Sequence, residues 1–241
     1  MQIKEETLGN AYGLLGILYR GYLRNPNQTV IQVGENALTY KELIKQGESC
    51  AAALYNRGIR KNDRIGVMTA NSTNWYVFLY ATLRIGAIIV PFDPQIGQYE
   101  MTYLFDRVGI RMVLVAPSYR GLKHPEMLEE IKDKLLDLKK VIVDGEYIEN
   151  DFFETLETLK KEESMDLPAF ELSEDDTNIF ICTTGSTGNP KIVDLPGKIF
   201  NYNNEKNAGT FGFEPGARLY LTMPLYHAAG FGWGICCLSQ G

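Results

Sequence analysis

The chain lacks any excess of positive charge: 24 lysines and arginines stand against 30 aspartates and glutamates, a formal net charge of −6. A nucleic-acid partner needs a basic face to neutralise phosphates, so the composition argues against that class. Cysteine is scarce. Cys50, Cys182, Cys236 and Cys237 show neither C-x-x-C nor Cys/His zinc spacing, and the adjacent pair sits in an apolar run as reduced core residues would. That usage suits a cytoplasmic protein. Long apolar runs are missing too, since nothing approaches the roughly 18 consecutive apolar residues a membrane span needs. Residues 1–6 are acidic rather than basic, and the apolar stretch 12–19 is short and closed by Arg20, so no targeting segment is expected. No internal repeat stands out.

What is present fits a globular protein. Hydrophobic residues make up 45% and charged residues 22% of the 241 positions, enough to bury a substantial core. Helical spacing is expected over 11–22, 40–57, 74–84, 98–108 and 125–138. Strands are expected at 64–70, 88–91, 112–116 and 141–143, with a small hairpin over 29–33 and 36–38 around Gly34. Strands separated by helices predict an α/β fold with a parallel sheet and helices on both faces. Residues 151–172, rich in Glu and Lys, read as a solvated helix and loop marking a boundary, with 1–172 forming a first α/β subdomain and 173–241 opening a second. Ser173-Glu174-Asp175-Asp176 reads as a turn or cap rather than a metal site, and no metal ligands are expected.

The most informative stretch is Thr183-Thr184-Gly185-Ser186-Thr187-Gly188-Asn189-Pro190-Lys191, directly after the apolar run Ile179-Phe180-Ile181-Cys182. The run reads as a short buried strand, so the loop leaves a rigid sheet. Glycines let the backbone approach a ligand and present N–H groups, hydroxyls add donors, and the lysine adds a compact positive charge. The combination suits a polyphosphate. It is not a Walker-type loop, because Pro190 stands five positions after Gly185 and Lys191 is followed by Ile192. Read without its neighbours, it leaves a Ser/Thr/Gly linker as the lesser alternative.

The loop resembles the phosphate loop of the adenylate-forming enzymes, the family of acyl-CoA synthetases, aryl-CoA ligases, luciferases and peptide-synthetase adenylation domains. Three further elements of that family follow in its order. They are Leu38-Thr39-Tyr40-Lys41-Glu42-Leu43, then Leu83-Arg84-Ile85-Gly86-Ala87 through Val90-Pro91-Phe92-Asp93-Pro94, and then Pro224-Leu225-Tyr226-His227-Ala228-Ala229-Gly230. The resemblance implies the N-terminal part of the adenylate-forming fold, truncated before its second subdomain is complete. It implies ATP, with Mg²⁺ bound through the phosphates, held by Thr183, Thr184, Gly185, Ser186, Thr187, Gly188, Pro190 and Lys191. It also implies an acyl pocket near Tyr226, His227 and Gly230, with His227 orienting the substrate carboxylate as the catalytic residue. Phe231 and Trp233 are further candidates for the pocket wall.

The implied activity is activation of a carboxylic acid as an acyl-adenylate, then transfer to a thiol, either CoA or a carrier protein. Peptide-synthetase domains carry an Asp where this chain has His227, so a non-amino acid is expected. Two features depart from the family pattern: Ile192 follows the loop lysine, and Pro196-Gly197 stands where a Thr-His pair is usual. By that standard the chain is about half the usual length, which predicts inactivity alone and apolar surface left bare over 219–241. A C-terminal half would then be a partner. The alternative is a catalytically dead or split relative that binds nucleotide or a partner.

Overall fold

The computed structural model describes residues 13–163, 165, 167–168, 172–183 and 190–240. Helix α1 (Gly13–Arg24) leads into a hairpin of β1 (Thr29–Val33) and β2 (Asn36–Thr39), then α2 (Tyr40–Asn56). Alternation follows: β3 (Arg64–Met68), α3 (Thr73–Arg84), β4 (Ile88–Pro91), α4 (Gln98–Val108), β5 (Ile110–Val115), α5 (His124–Ile131) and β6 (Lys140–Val143). The remainder is β7 (Phe153–Thr155), α6 (Leu156–Lys160), β8 (Thr177–Thr183), β9 (Lys191–Pro196), α7 (Gly197–Phe211) and α8 (Ala228–Leu238).

Seven strands form one sheet in the order β7-β6-β5-β3-β4-β8-β9, parallel throughout except for the β8–β9 hairpin. Its central strands are apolar at almost every position, as a sheet covered on both faces requires. Alternate residues feed two separate cores. Ile65, Val67, Ile89, Met112, Leu114 and Ile142 meet residues of α1, α2, α3 and α8. Met68, Val90, Val113, Val115, Val141 and Val143 meet residues of α4 and α5 on the other side.

The first core contains a polar chain. The Tyr80 hydroxyl donates to Glu48 Oε1 at 2.5 Å, Arg84 Nε donates to the same oxygen at 2.8 Å, and the Tyr19 hydroxyl lies 2.9 Å from that of Tyr80. It ties together α1, α2 and α3. Burial pushes the Tyr19 hydroxyl up to about 12 and that of Tyr80 well above its ordinary value, so both stay protonated donors.

Several expectations need correction. The helix expected over 125–138 stops at Ile131 and continues as a 3₁₀ turn, Lys132–Lys134. His124, one residue before the expected helix, is the fully buried first residue of α5. Its Nδ1 lies 3.2 Å from Ala116 O and its Nε2 lies 2.8 Å from Pro94 O. Part of the stretch read as solvated, 153–155, is strand β7, which pairs with β6 at the sheet edge. Beyond 172, β8 pairs with β4 and β9 with β8, so residues on both sides of 172 share one sheet. The bare surface expected over 219–241 is mostly covered: Phe231, Ile235, Cys236 and Leu238 are buried, while Tyr220 is 91% exposed.

Candidate functional site

The loop leaves the sheet at the carboxyl end of β8 and returns as β9. Thr183 and Lys191, the residues at its two ends, are Cα partners in the hairpin register, and the Thr183 hydroxyl donates to Lys191 O at 3.5 Å. Both residues are exposed, and Pro190 is half-buried. Thr184, Gly185, Ser186, Thr187, Gly188 and Asn189 lie outside the described residues. Ile192 is the second residue of β9, opposite Cys182, where a β-branched side chain suits a strand. Pro196 is the N-cap of α7. The next two amides bond to the 173–176 turn, Gly197 N to Asp176 O at 2.9 Å and Lys198 N to Glu174 O at 2.7 Å. Both departures from the family pattern therefore have structural roles.

The segment before α8 brings up the other predicted residues. Leu225 is buried, His227 N donates to Pro224 O at 3.2 Å, and α8 begins immediately afterwards with His227 as its N-cap residue. The imidazole is exposed and lies 4.6 Å from the Tyr226 ring, centroid to centroid. The Tyr226 side chain lies beside Asp93 and Gln95, and burial together with the Asp93 carboxylate raises its pKa above the usual tyrosine range. Asp93 lies just past β4, and β4 is the parallel neighbour of β8. Tyr226, His227 and the ends of the loop thus gather at the carboxyl edge of the sheet, where parallel α/β sheets hold ligands.

Gly230 has a packing reason to be glycine. A Cβ there would stand 2.1 Å from Pro224 O, a backbone atom that cannot swing aside. Gly230→Ala is expected to lower stability by about 1–3 kcal/mol through overpacking. Urea unfolding checks this, and a wild-type midpoint would refute it.

Behind this edge, an apolar cavity of about 420 Å³ lies among β8, β9, α7 and α8. Ile181, Leu195, Phe200, Phe211, Phe231 and Trp233 form most of its wall, Ala228 and Ala229 join them, and Asn207 is the polar contributor. Trp233 stacks on Phe211 at 4.3 Å, and Phe231 packs on Phe200 at 5.8 Å. Phe231 and Trp233, expected at a pocket wall, line this cavity. Tyr226, His227 and Gly230 flank it at the start of α8 without lining it. Sequence reasoning missed Leu195, Phe200 and Phe211, because β9 and α7 carry too little hydrophobic period to be recognised.

Two carboxylates of the 173–176 turn, Asp175 and Asp176, are engaged. Asp176 pairs with Lys61 at 2.9 Å and accepts from Ser173 N at 2.7 Å, while Asp175 pairs with Lys198 at 2.5 Å. Among the described residues no group of three or more His, Cys, Asp or Glu could hold a metal ion, and no helix is long and apolar enough to cross a membrane. The four cysteines are in no disulfide, and burial raises each pKa, to about 12 at Cys50 and about 11 at Cys182. They are protonated and poorly nucleophilic near neutrality.

Comparison with known proteins places this geometry. The chain is 30% identical over 222 residues to YdaB of Bacillus subtilis (strain 168), which is named as an acyl-CoA ligase, covering 90% of this chain and 41% of that protein. It is 25% identical over 228 residues to the mitochondrial medium-chain acyl-CoA ligase ACSF2 of Danio rerio, covering 84% of this chain and 37% of that one. The chain thus spans about two fifths of these relatives. Among solved structures, the N-terminal domain of FACL13 from Mycobacterium tuberculosis superposes with a TM-score of 0.82 at 22% identity, covering 96% of this chain and 56% of that chain. That likeness shows the fold: the α/β architecture expected from the resemblance is the N-terminal architecture of adenylate-forming enzymes. A profile described as AMP-binding enzyme matches residues 20–241, and the chain belongs to that family.

Proposed function

We propose that this chain provides the phosphate grip and part of the acid site of an ATP-dependent ligase. The ligase would activate a non-amino carboxylic acid as an acyl-adenylate and pass it to a thiol, CoA or that of a carrier protein. The observation that carries this reading is the placement of Thr183 and Lys191 at the same carboxyl edge of the sheet as Tyr226 and His227. Adenylation brings a carboxylate onto the α-phosphorus of ATP and expels pyrophosphate, so two anions must be held together by donors and positive charge placed in advance. The exposed Thr183 hydroxyl and Lys191 ammonium suit a polyphosphate and offer a metal no carboxylate. Mg²⁺ would therefore arrive with the nucleotide and neutralise its phosphates.

In this reading Thr183, Thr184, Ser186 and Thr187, with the Gly185 and Gly188 backbones, hold the β- and γ-phosphates, Pro190 closes the turn, and Lys191 adds charge. His227 faces the substrate carboxylate. The chain has His227 where peptide-synthetase domains carry an Asp, and Asp93 already accepts from Gln95 N at 2.9 Å, which favours an acid without an α-amino group. The acid's apolar tail enters the cavity walled by Phe231 and Trp233. The complete reaction is assigned to this chain together with the segments that its longer relatives carry beyond the match.

Acid-dependent exchange of pyrophosphate into ATP by that complete enzyme tests the reaction. Nucleotide binding without exchange would instead favour a binding module. The loop assignment has its own test in the present chain. Ser186→Ala combined with Thr187→Ala should weaken ATP affinity by about tenfold or more, the loss expected for hydrogen bonds to charged oxygens. Calorimetry that finds unchanged affinity would sink the assignment.

A further inference from the structure

Residues 217–227 contain no helix or strand, yet they carry Tyr226 and His227. A segment without a ladder must satisfy its backbone elsewhere. For Met223 O and Leu225 N the partner is one side chain more than 150 positions away in sequence. Asn71 Nδ2 donates to Met223 O at 3.0 Å, and Leu225 N donates to Asn71 Oδ1 at 2.8 Å. In an extended chain the C=O of one residue and the N–H two residues on point the same way, and a planar carboxamide offers a donor and an acceptor to meet both. The Asn71 side chain thereby takes the place of a neighbouring strand.

Its own mounting is firm. Asn71 sits between β3 and α3, next to Ser72, whose hydroxyl caps α3 by accepting from Trp75 N at 3.1 Å. That helix is buried at every position from Trp75 to Leu83. The link therefore runs from a rigid strand–helix junction to Met223 and Leu225, the latter immediately before Tyr226.

We propose that Asn71 is a positioning residue for the candidate site, acting through the Met223 and Leu225 backbone to set where Tyr226 and His227 stand. The consequence for catalysis rests on the reading of His227 given above; the positioning does not. Asparagine is required on this account because aspartate keeps the acceptor for Leu225 N but turns a carboxylate toward Met223 O, and alanine loses both bonds.

The test is amide hydrogen exchange on the intact chain, with the His227 ring followed by NMR, in wild type, Asn71→Ala and Asn71→Asp. In Asn71→Ala the Leu225 amide should exchange at least about tenfold faster and the His227 Hε1 resonance should move, while the α3 amides keep wild-type protection. Asn71→Asp should retain more protection at Leu225 than Asn71→Ala. Unchanged Leu225 exchange with an unmoved His227 resonance overturns the proposal, and so does a loss spread evenly through α3, which would mean a purely structural role. Should Asn71→Ala fail to fold, Asn71→Asp decides by the same criterion: selective loss at 223–227 supports the proposal, and wild-type or uniformly lost protection overturns it. Neither readout needs nucleotide, acid or turnover, so a failed exchange assay leaves the proposal intact.

Discussion

Replacing Glu48 with alanine is expected to lower the unfolding free energy by about 3–5 kcal/mol, the usual penalty for stripping one partner from a buried ion pair. The Glu48 and Arg84 side chains are 5% and 11% exposed, and the carboxylate accepts from both Arg84 Nε and the Tyr80 hydroxyl. Alanine would leave a guanidinium and a phenol without their shared acceptor inside the apolar core between α2 and α3. Water cannot easily compensate there, because Tyr80 is fully buried and Gly47 lies directly against its ring, where a Cβ would stand 2.2 Å from Cδ1. Glu48→Gln keeps the volume and a carbonyl acceptor, so about 1–3 kcal/mol is expected, the range for a weakened buried hydrogen bond. Urea denaturation of the three proteins checks the order. A Glu48→Ala loss below about 1 kcal/mol would mean that water or a repacked side chain replaces the carboxylate.

The centre of the sheet was legible because its chemistry is redundant. Strands β3 to β6 are apolar at consecutive positions, so both faces had to be covered and helices had to lie on each side. Helix α2 announces its start: Thr39 and Glu42 form a reciprocal capping box, with Glu42 N donating to Thr39 Oγ1 at 3.2 Å and Thr39 N to Glu42 Oε2 at 2.8 Å. The periphery was not legible. Strand β7 has three residues, too few to show a period, and only pairing with β6 defines it. Helix α7 is rich in asparagine, which competes locally with helix bonds, and it is held through Phe200 and Ala208 by contacts no sequence window contains.

The candidate site divides the same way. Composition marks the loop around Lys191, and a short motif marks Tyr226 and His227. Asn71 carries no such mark, because its partners are backbone atoms of distant residues. The cavity wall likewise depends on four elements meeting. His124 carries no mark either: it stands just outside the helix expected over 125–138, yet its ring is buried against two backbone carbonyls.

Trp75→Ala is expected to cost about 3–5 kcal/mol, the range for deleting a large buried aromatic. Trp75 is 1% exposed, and its ring lies 5.9 Å from that of Phe231, which lines the apolar cavity from α8. Alanine would open a void directly behind Phe231, so the loss reaches the cavity as well as the core. Trp75→Phe fills more of that space and should cost less. The chain has two tryptophans, so either variant leaves Trp233 as the only indole, and its emission reports on the cluster it forms with Phe211 and Phe213. With α8 loosened, Trp233 should emit at longer wavelength in Trp75→Ala than in Trp75→Phe. Identical emission alongside a large stability difference would confine the Trp75–Phe231 contact to holding the fold. A red shift would show that α3 also shapes the chamber proposed for the acid, so that residues of the first α/β layers influence substrate fit without touching substrate.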